Sequence, residues 1–499
     1  MAVDEILHVE VGVLKNAQLT LSAKECGIII PMIAAQHFFV RQIGFHSQAL
    51  FRTIPAKKRP NTLNSDISRI VTGNLCQNDG EKISNCFLRF KRSDTFGSIY
   101  ILLAQLTVLA IRVRCKFHIP CRSIETLPVL FERVAIESLG FALPPEVVSS
   151  TEIEQKLAPT YDRLKLPEGR LEMMSGIRER RFWAPHTKIS VPSSIAARLA
   201  LDATGLDPAD IGCLIHASVC RDYLEPATAC GVHAALGLSS DCWVYDLSNA
   251  CLGLLSGMVQ IAMMIERGAI RAGIVVGTES ARNLVEATIA NLNADQTLTR
   301  QSIKPSFASL TIGSGSCAVL LVDRKLSQTD NRLLACVARA ETQHHALCQS
   351  DNDQAGSSMQ PLMQTDSEQL LHAGVAVGIR TFEQLLIDGA EQPSQRSDFA
   401  ATVSHQVGAT HRRLMLQALG LPEERDYSTF AWLGNTGSVA LPTALAMGLR
   451  SETITTGSRV ALLGIGSGIN SVMMTTHWQH PIVAGELDEN ALQNMQSSS

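Results

Sequence analysis

The sequence predicts an α/β protein whose ordered region is built from two similar halves. From residue 129 onward short apolar runs alternate with helical stretches, the pattern of a sheet with helices packed on it. Within this region a single type of segment is used twice. "SNACLGLLSGMVQIAMMIERGAIRAGIVVGTES" runs through Asn249 into a helix, a glycine and a strand at Ala272–Val276. "GNTGSVALPTALAMGLRSETITTGSRVALLGIGSG" runs through Asn435 into a helix, a glycine and a strand at Arg459–Leu463. The spacing is 26 residues from Asn249 to Val275 and 27 from Asn435 to Leu462, which implies a repeated supersecondary unit. The halves fall at 129–325 and 326–480, and the closing 481–499, "PIVAGELDENALQNMQSSS", reads as a frayed polar tail.

Composition narrows the function classes. Hydrophobic residues make up 45% and charged residues 18%, a globular balance, and the net charge of −4 gives no reason to expect nucleic acid. The 13 cysteines are odd in number and scattered without a C-x-x-C pair. That argues against a disulfide framework or a zinc site and for a reducing compartment. Asp4 and Glu5 stand where a secretory signal needs basic residues, so a cytoplasmic location is expected.

The charge shifts along the chain. Residues 1–128 hold 16 Lys/Arg against 9 Asp/Glu, leaving 27 basic and 38 acidic residues beyond, which marks a boundary near Pro128. Two apolar runs in the first segment, "CGIIIPMIAAQHFFV" (26–40) and "SIYILLAQLTVLAI" (98–111), fall short of the ~20 residues a spanning helix needs and are expected to be buried or interfacial. Because orderly patterning starts at 129, Val129 is a candidate alternative (GTG-type) start. We expect residues 1–128 to be dispensable or untranslated; an intact mass matching all 499 residues overturns the untranslated version.

The helix after Cys251 is apolar on every side, through Leu252, Leu254, Leu255, Met258, Val259, Ile261, Met263 and Met264, so it is expected to be buried. "VALPTALAMGL" in the second half is similar, which puts two buried helices at the centre of the molecule. Cys251 opens the first of them, where the helix dipole and free N–H groups lower a thiol pKa. On its own that position suits a small buried hydrophobe as well as a nucleophile. His405, in "SHQVGATHRR", is alone an ordinary structural histidine, and Asn435, in "WLGNTGSVALP", an ordinary turn residue.

Together, in the order Cys–His–Asn, these motifs resemble the thiolase-like condensing enzymes, specifically the ketoacyl-ACP synthase III group, over about residues 130–480. "GIRERR" (176–181) also resembles the group. The resemblance implies a layered αβαβα fold, with Cys251 accepting an acyl group from a thioester. It implies that His405 and Asn435 bind the enolate oxygen of a second thioester, and that backbone N–H groups at Cys251, Gly466 and Ser467 hold the other oxyanion.

"SVCRDYLEPATA" (218–229), "PTYDRL" (159–164) and "LLGIGSGIN" (462–470) resemble one subgroup, the OleA-type enzymes, which join two long fatty acyl thioesters head to head. There a glutamate reaches the partner subunit's site in a homodimer; the matching residue is Glu225, 26 positions before Cys251. Removing an α-proton from an unactivated acyl thioester needs such a positioned base, ideally raised in pKa by burial. Without the resemblance, Glu225 reads as a surface turn residue beside Pro226.

The implied activity is therefore non-decarboxylative condensation releasing a β-keto acid, supplied by acyl-CoA or acyl-carrier-protein thioesters, with no bound cofactor and with downstream lipid-processing enzymes as partners. The alternatives are a decarboxylating synthase using a malonyl thioester and a silent, binding-only subunit. One departure stands out: Arg170 occupies the position where many synthase III enzymes place a tryptophan against the CoA adenine. Arg178, Arg180 and Arg181 are the candidate CoA phosphate contacts. "GIGSGIN" lacks the spacing of a nucleotide loop, and His344 and His345 have no partners at ligand spacing, so no metal is expected.

Overall fold

The computed structural model describes residues 7–10, 18–21, 128–350, 362–387 and 394–497. The chain divides into two units, Met1–Ser123 and Ile124–Ser499. In the first, Leu7–Glu10 pairs antiparallel with Gln18–Leu21; the apolar runs at 26–40 and 98–111 lie outside the described residues. Among the described residues no helix is long and apolar enough to cross a membrane.

The N-terminal half of the second unit includes β1 (Val134–Ala142), the paired strands β2 (Glu146–Ser149) and β3 (Glu179–Phe182), α1 (Ser190–Asp202), β4 (Ile211–Ala217) and α2 (Thr228–Leu236). It continues with β5 (Trp243–Leu247), α3 (Gly253–Glu266), β6 (Ala272–Glu279) and β7 (Gly315–Asp323). The C-terminal half runs β8 (Arg332–Ala340), α4 (Ser367–Leu385), β9 (Ala401–Ser404), α5 (Ala409–Leu419), α6 (Ala440–Arg450), β10 (Ser458–Gly466) and β11 (Asn470–Trp478).

The two halves repeat one strand order. The first sheet runs β1-β7-β6-β4-β5, antiparallel at its first two junctions and parallel at the last two. The second runs β8-β11-β10-β9, antiparallel, antiparallel, then parallel. Where the first has β5, the second keeps a parallel bridge between Thr402 and Asp426. The sheets join where Arg332 lies opposite Ala135.

Because side chains alternate across a strand, each central strand feeds two cores and reads as a continuous apolar run. Ile215, Val275, Val319, Leu321, Leu462 and Met474 point to a shared interior that also holds Leu254, Leu255, Met258 and Ile261 of α3 and Leu441, Ala444 and Leu445 of α6. Their neighbours Leu214, Ile274, Val276 and Leu320 point the other way, onto Ala196, Ala197 and Ala200 of α1. Ala461, Leu463 and Met473 face Phe382 and Leu385 of α4. The layers are therefore α1/α2, sheet, α3/α6, sheet, α4/α5: an αβαβα arrangement with the two apolar helices at its centre.

Two expectations are corrected. Residues 481–497 are not a frayed tail. Val483–Gly485 adds a parallel strand to β1, and the helix Glu489–Ser497 buries Ala491 and Met495 in the central core. The polar composition of this segment hides two apolar anchors spaced i, i+4. Nor is α3 buried all round: Met263 is exposed, while Val259 and Met264 are half-buried. This side lies by the edge strand β5, where the Tyr245 hydroxyl donates to Gln260 Oε1 at 2.8 Å and Trp243 is exposed.

Candidate active site

The parallel strands β4, β5, β9 and β10 end on the same side as the turns that carry the candidate residues. In open α/β sheets that carboxyl edge is where ligands bind. After β5 the chain makes a 3₁₀ turn, Ala250–Leu252, before α3; the C-terminal half makes its counterpart, Gly437–Val439, before α6. The two turns pack against each other, and the end of β10 packs against the first. A Cβ on Gly466 would lie 3.5 Å from the Cys251 nitrogen and 3.0 Å from Leu252, so glycine there allows the close approach.

Cys251 is partly exposed. Its neighbour Ala250 has φ +45°, a left-handed conformation costly for a residue with a Cβ, which turns the chain sharply just before the thiol. The backbone N–H groups of Ser467 and of Cys251 itself lie beside the sulfur and favour its thiolate. The lowered thiol pKa expected of a helix start is not found. Burial, with the nearby Cys348 thiol and the Glu279 carboxylate adding to it, pushes the thiol up to about 12. Desolvation of a thiolate outweighs the two N–H donors and the short helix-end effect.

Asn435 is buried on the adjoining turn. Its backbone joins the loop before β7: Asn435 N–H donates to the Thr311 carbonyl at 3.0 Å, and Gly313 N–H donates to the Asn435 carbonyl at 2.9 Å. Its side-chain Oδ1 accepts from Gly437 N–H at 3.1 Å. The donor end of the amide, Nδ2, is thereby the end available to a ligand.

His405 follows β9, and its N–H donates to the Leu463 carbonyl of β10 at 3.2 Å. Burial, with His411 nearby, pushes its imidazole down to about 4, so the ring is neutral at neutral pH and carries one donor and one acceptor nitrogen. The residues on either side are pinned. Gln406 donates to the Ser404 carbonyl at 2.6 Å and accepts from Thr429 N–H at 2.7 Å and Phe430 N–H at 3.2 Å. Buried Asp426 accepts from Ser404 N–H at 2.9 Å, from its hydroxyl at 2.8 Å and from Arg412 Nε at 2.8 Å. Gln406 thus ties the His405 segment to the short helix Phe430–Leu433 that leads into Asn435, a role the "HQ" pattern does not convey.

Glu225 is not a member of this cluster in its own chain. It stands exposed between β4 and α2, beside exposed Tyr223 and Leu224. Burial of its carboxyl, expected of a base in a lipid channel, would have to come from another molecule.

Arg180 and Arg181, expected as phosphate contacts, are not presented to solvent. Both lie on β3 with their guanidinium groups turned inward and are essentially fully buried. Arg180 donates to Ser150 Oγ and the Leu310 carbonyl, each at 3.1 Å; Arg181 makes a two-pronged pair with Asp488 at 2.5 and 2.8 Å. Burial of such groups requires the partners they have found here. Arg178 is exposed, with Nη2 donating to Asn494 at 2.8 Å, and keeps a face toward solvent. Arg170 lies over the Phe307 ring at 5.3 Å.

This fold and this cluster define a thiolase-like condensing enzyme. Residues 390–478 match the family 3-oxoacyl-[acyl-carrier-protein (ACP)] synthase III C terminal. An acyl-CoA:acyl-CoA alkyltransferase of Shewanella oneidensis is 43% identical over 352 residues, 70% of this chain and 99% of that one. Its namesake from Xanthomonas campestris is 33% identical, over 70% of this chain and 100% of its own. A cysteine-to-serine variant of Xanthomonas campestris OleA with bound lauric acid and lauroyl-CoA superposes with a TM-score of 0.65 at 32% identity, covering 70% of this chain and 100% of that one. Glutamate and histidine variants of the same protein superpose equally well. The chain belongs to the acyl-CoA:acyl-CoA alkyltransferase (OleA) family.

Proposed function

We propose that this protein condenses two long-chain fatty acyl-CoA thioesters head to head, without decarboxylation, and releases a β-keto acid. The observation that carries the reading is the cluster at the carboxyl edge of the sheets: a thiol on a strained turn at the start of a buried helix, packed against a turn whose amide offers a donor. In the first half-reaction the Cys251 sulfur attacks an acyl-CoA carbonyl; the thiol proton leaves and CoA departs as its thiol. The N–H groups of Cys251 and Ser467, with Gly466 allowing the approach, receive the oxyanion of that step. A neutral His405 can accept the thiol proton, which a thiol held near 12 does not release unaided.

In the second half-reaction a base removes an α-proton from a second acyl-CoA, and its carbonyl oxygen takes the enolate charge against donors from His405 and Asn435 Nδ2. The enolate carbon attacks the acyl-Cys251 carbonyl, the C–S bond breaks, and the sulfur recovers a proton. Water then cleaves the new β-ketoacyl-CoA to β-keto acid and CoA. Glu225 is the base, supplied in trans: it is exposed on its own chain, so a homodimer that inserts the loop supplies its burial. Arg178, the one of the three arginines that faces solvent, is the phosphate contact. The free cysteines suit a reducing, cytoplasmic setting, and a downstream lipid-processing enzyme consumes the β-keto acid.

Full-length protein incubated with myristoyl-CoA and no malonyl donor should release free CoA and a β-keto acid or the ketone it decays to. Glu225→Ala should lose that product, and mixed dimers of Glu225→Ala with Cys251→Ala should recover a fraction of it. Turnover that needs malonyl-CoA would replace this reading with the decarboxylating one.

A further inference from the structure

One buried carboxyl group beside the cluster that the mechanism above leaves unused is Glu279, the last residue of β6, 5% exposed. Its Oε1 accepts from Ser438 N–H at 3.2 Å, from the Ser438 hydroxyl at 2.5 Å and from Val219 N–H at 3.1 Å. The Cys220 sulfur is held beside it by Ser280, accepting from Ser280 N–H at 3.4 Å and donating to the Ser280 carbonyl at 3.8 Å. Ser438 sits on the Asn435 turn; Val219 and Cys220 open the loop that carries Glu225. Gly437, at φ +55°, lets the Asn435 turn close over the carboxylate, since a Cβ there would lie 3.1 Å from Glu279 Cδ and Cγ. The same loop is fixed below by the Ser218 hydroxyl, which donates to the Thr278 carbonyl at 2.6 Å and accepts from Cys220 N–H at 2.9 Å.

A buried carboxylate is costly unless its lone pairs are filled. Here Oε1 takes donors from two segments more than 200 residues apart in the chain, so a shift of either segment removes donors from the shared oxygen. We propose that Glu279 is a positioning residue for condensation: one carboxylate clamps both the turn bearing Asn435 and the root of the loop bearing Glu225. This inference rests on the function proposed above, in which Asn435 and Glu225 act only after Cys251 is acylated. Small misplacement of such groups lowers rates by large factors.

The test separates the two half-reactions in the full-length protein with myristoyl-CoA. Acyl-Cys251 formation is read by intact mass and the initial burst of CoA, and condensation by β-keto acid release. Glu279→Ala should acylate within about threefold of wild type and condense roughly 30- to 100-fold more slowly. Glu279→Gln, which keeps an acceptor oxygen for Ser438 and Val219, should recover condensation to within about fivefold of wild type. If Glu279→Ala fails to fold, Ser438→Ala, which removes the hydroxyl donor, should show the same split at about 5- to 10-fold. Equal losses in both half-reactions, no loss in condensation, or no rescue by glutamine would overturn the clamp. A wild-type protein that does not condense would instead overturn the proposed function.

Discussion

The two turns at the carboxyl edge of the sheets share one design and differ in chemistry. In each half a strand position leads to a 3₁₀ turn and then to a buried apolar helix: Ala250–Leu252 into α3, Gly437–Val439 into α6. The N-terminal turn presents a thiol and reaches its geometry by straining Ala250. The C-terminal turn presents an amide and reaches its geometry with glycines on either side, Gly434 at φ +68° and Gly437 at φ +55°. The strand before each turn differs too: β5 is a full edge strand, whereas its counterpart is a bridge at Asp426, whose carboxylate pins the His405 strand. A symmetric scaffold thus delivers asymmetric groups, with the proposed nucleophile from one half and the proposed hydrogen-bonding residues from the other.

The largest test of that division is catalytic. Cys251→Ala should abolish both the acyl adduct and product, a loss of at least about 10³-fold, while Asn435→Ala should keep the adduct and lower condensation by about 10²- to 10³-fold. Mass spectrometry of the protein after one turnover tells them apart. If Asn435→Ala also prevents acylation, the halves do not divide the labour.

Next comes the scaffold itself. Leu255 of α3 and Leu445 of α6 are both buried in the shared core, so either change to alanine should cost about 2–5 kcal/mol in denaturant unfolding. A marked inequality would show that one half carries the stability.

Acid sharpens the comparison further. His216, at the end of β4, and His405, after β9, occupy matching strand ends, and burial is the main cause that pushes each down to about 4. A histidine whose folded pKa lies below its unfolded value of ~6.5 stabilises the fold fully above pH 6.5 and loses that contribution as pH falls toward 4. Urea midpoints should therefore drop between about pH 6.5 and 4, and His216→Gln should flatten the drop by about 2 kcal/mol. A midpoint that is flat in wild type over that window would contradict burial of the neutral rings.

The smallest effect is backbone strain. Ala250→Gly should raise stability by up to about 1 kcal/mol, because glycine adopts positive φ without the Cβ penalty. Gly437→Ala on the opposite turn should lower it by about 1–3 kcal/mol, since its Cβ would press on Glu279. Thermal melts of the pair read both signs.

Much of the site is legible because its pieces are short and local. Cys251, His405 and Asn435 each sit in a compact motif, and the repeated strand–turn–helix segment announces the duplication. Glu279 leaves no such signal: it is one acid at the end of an apolar strand, and its partners Val219 and Ser438 lie 60 and 159 residues away. Arg180 and Arg181 mislead for the same reason, since basic residues in a row look exposed until Asp488, 307 residues from Arg181, is folded beside them.

Contiguous residues carry the α/β class, the doubling and the candidate motifs at Cys251, His405 and Asn435, because periodicity and turn chemistry are local. The sign of the Cys251 shift, the neutrality of His405, the docking of residues 483–497 and the proposed clamp at Glu279 emerge once the chain is folded. Those properties depend on desolvation and on partners brought from far along the chain, which no local pattern encodes.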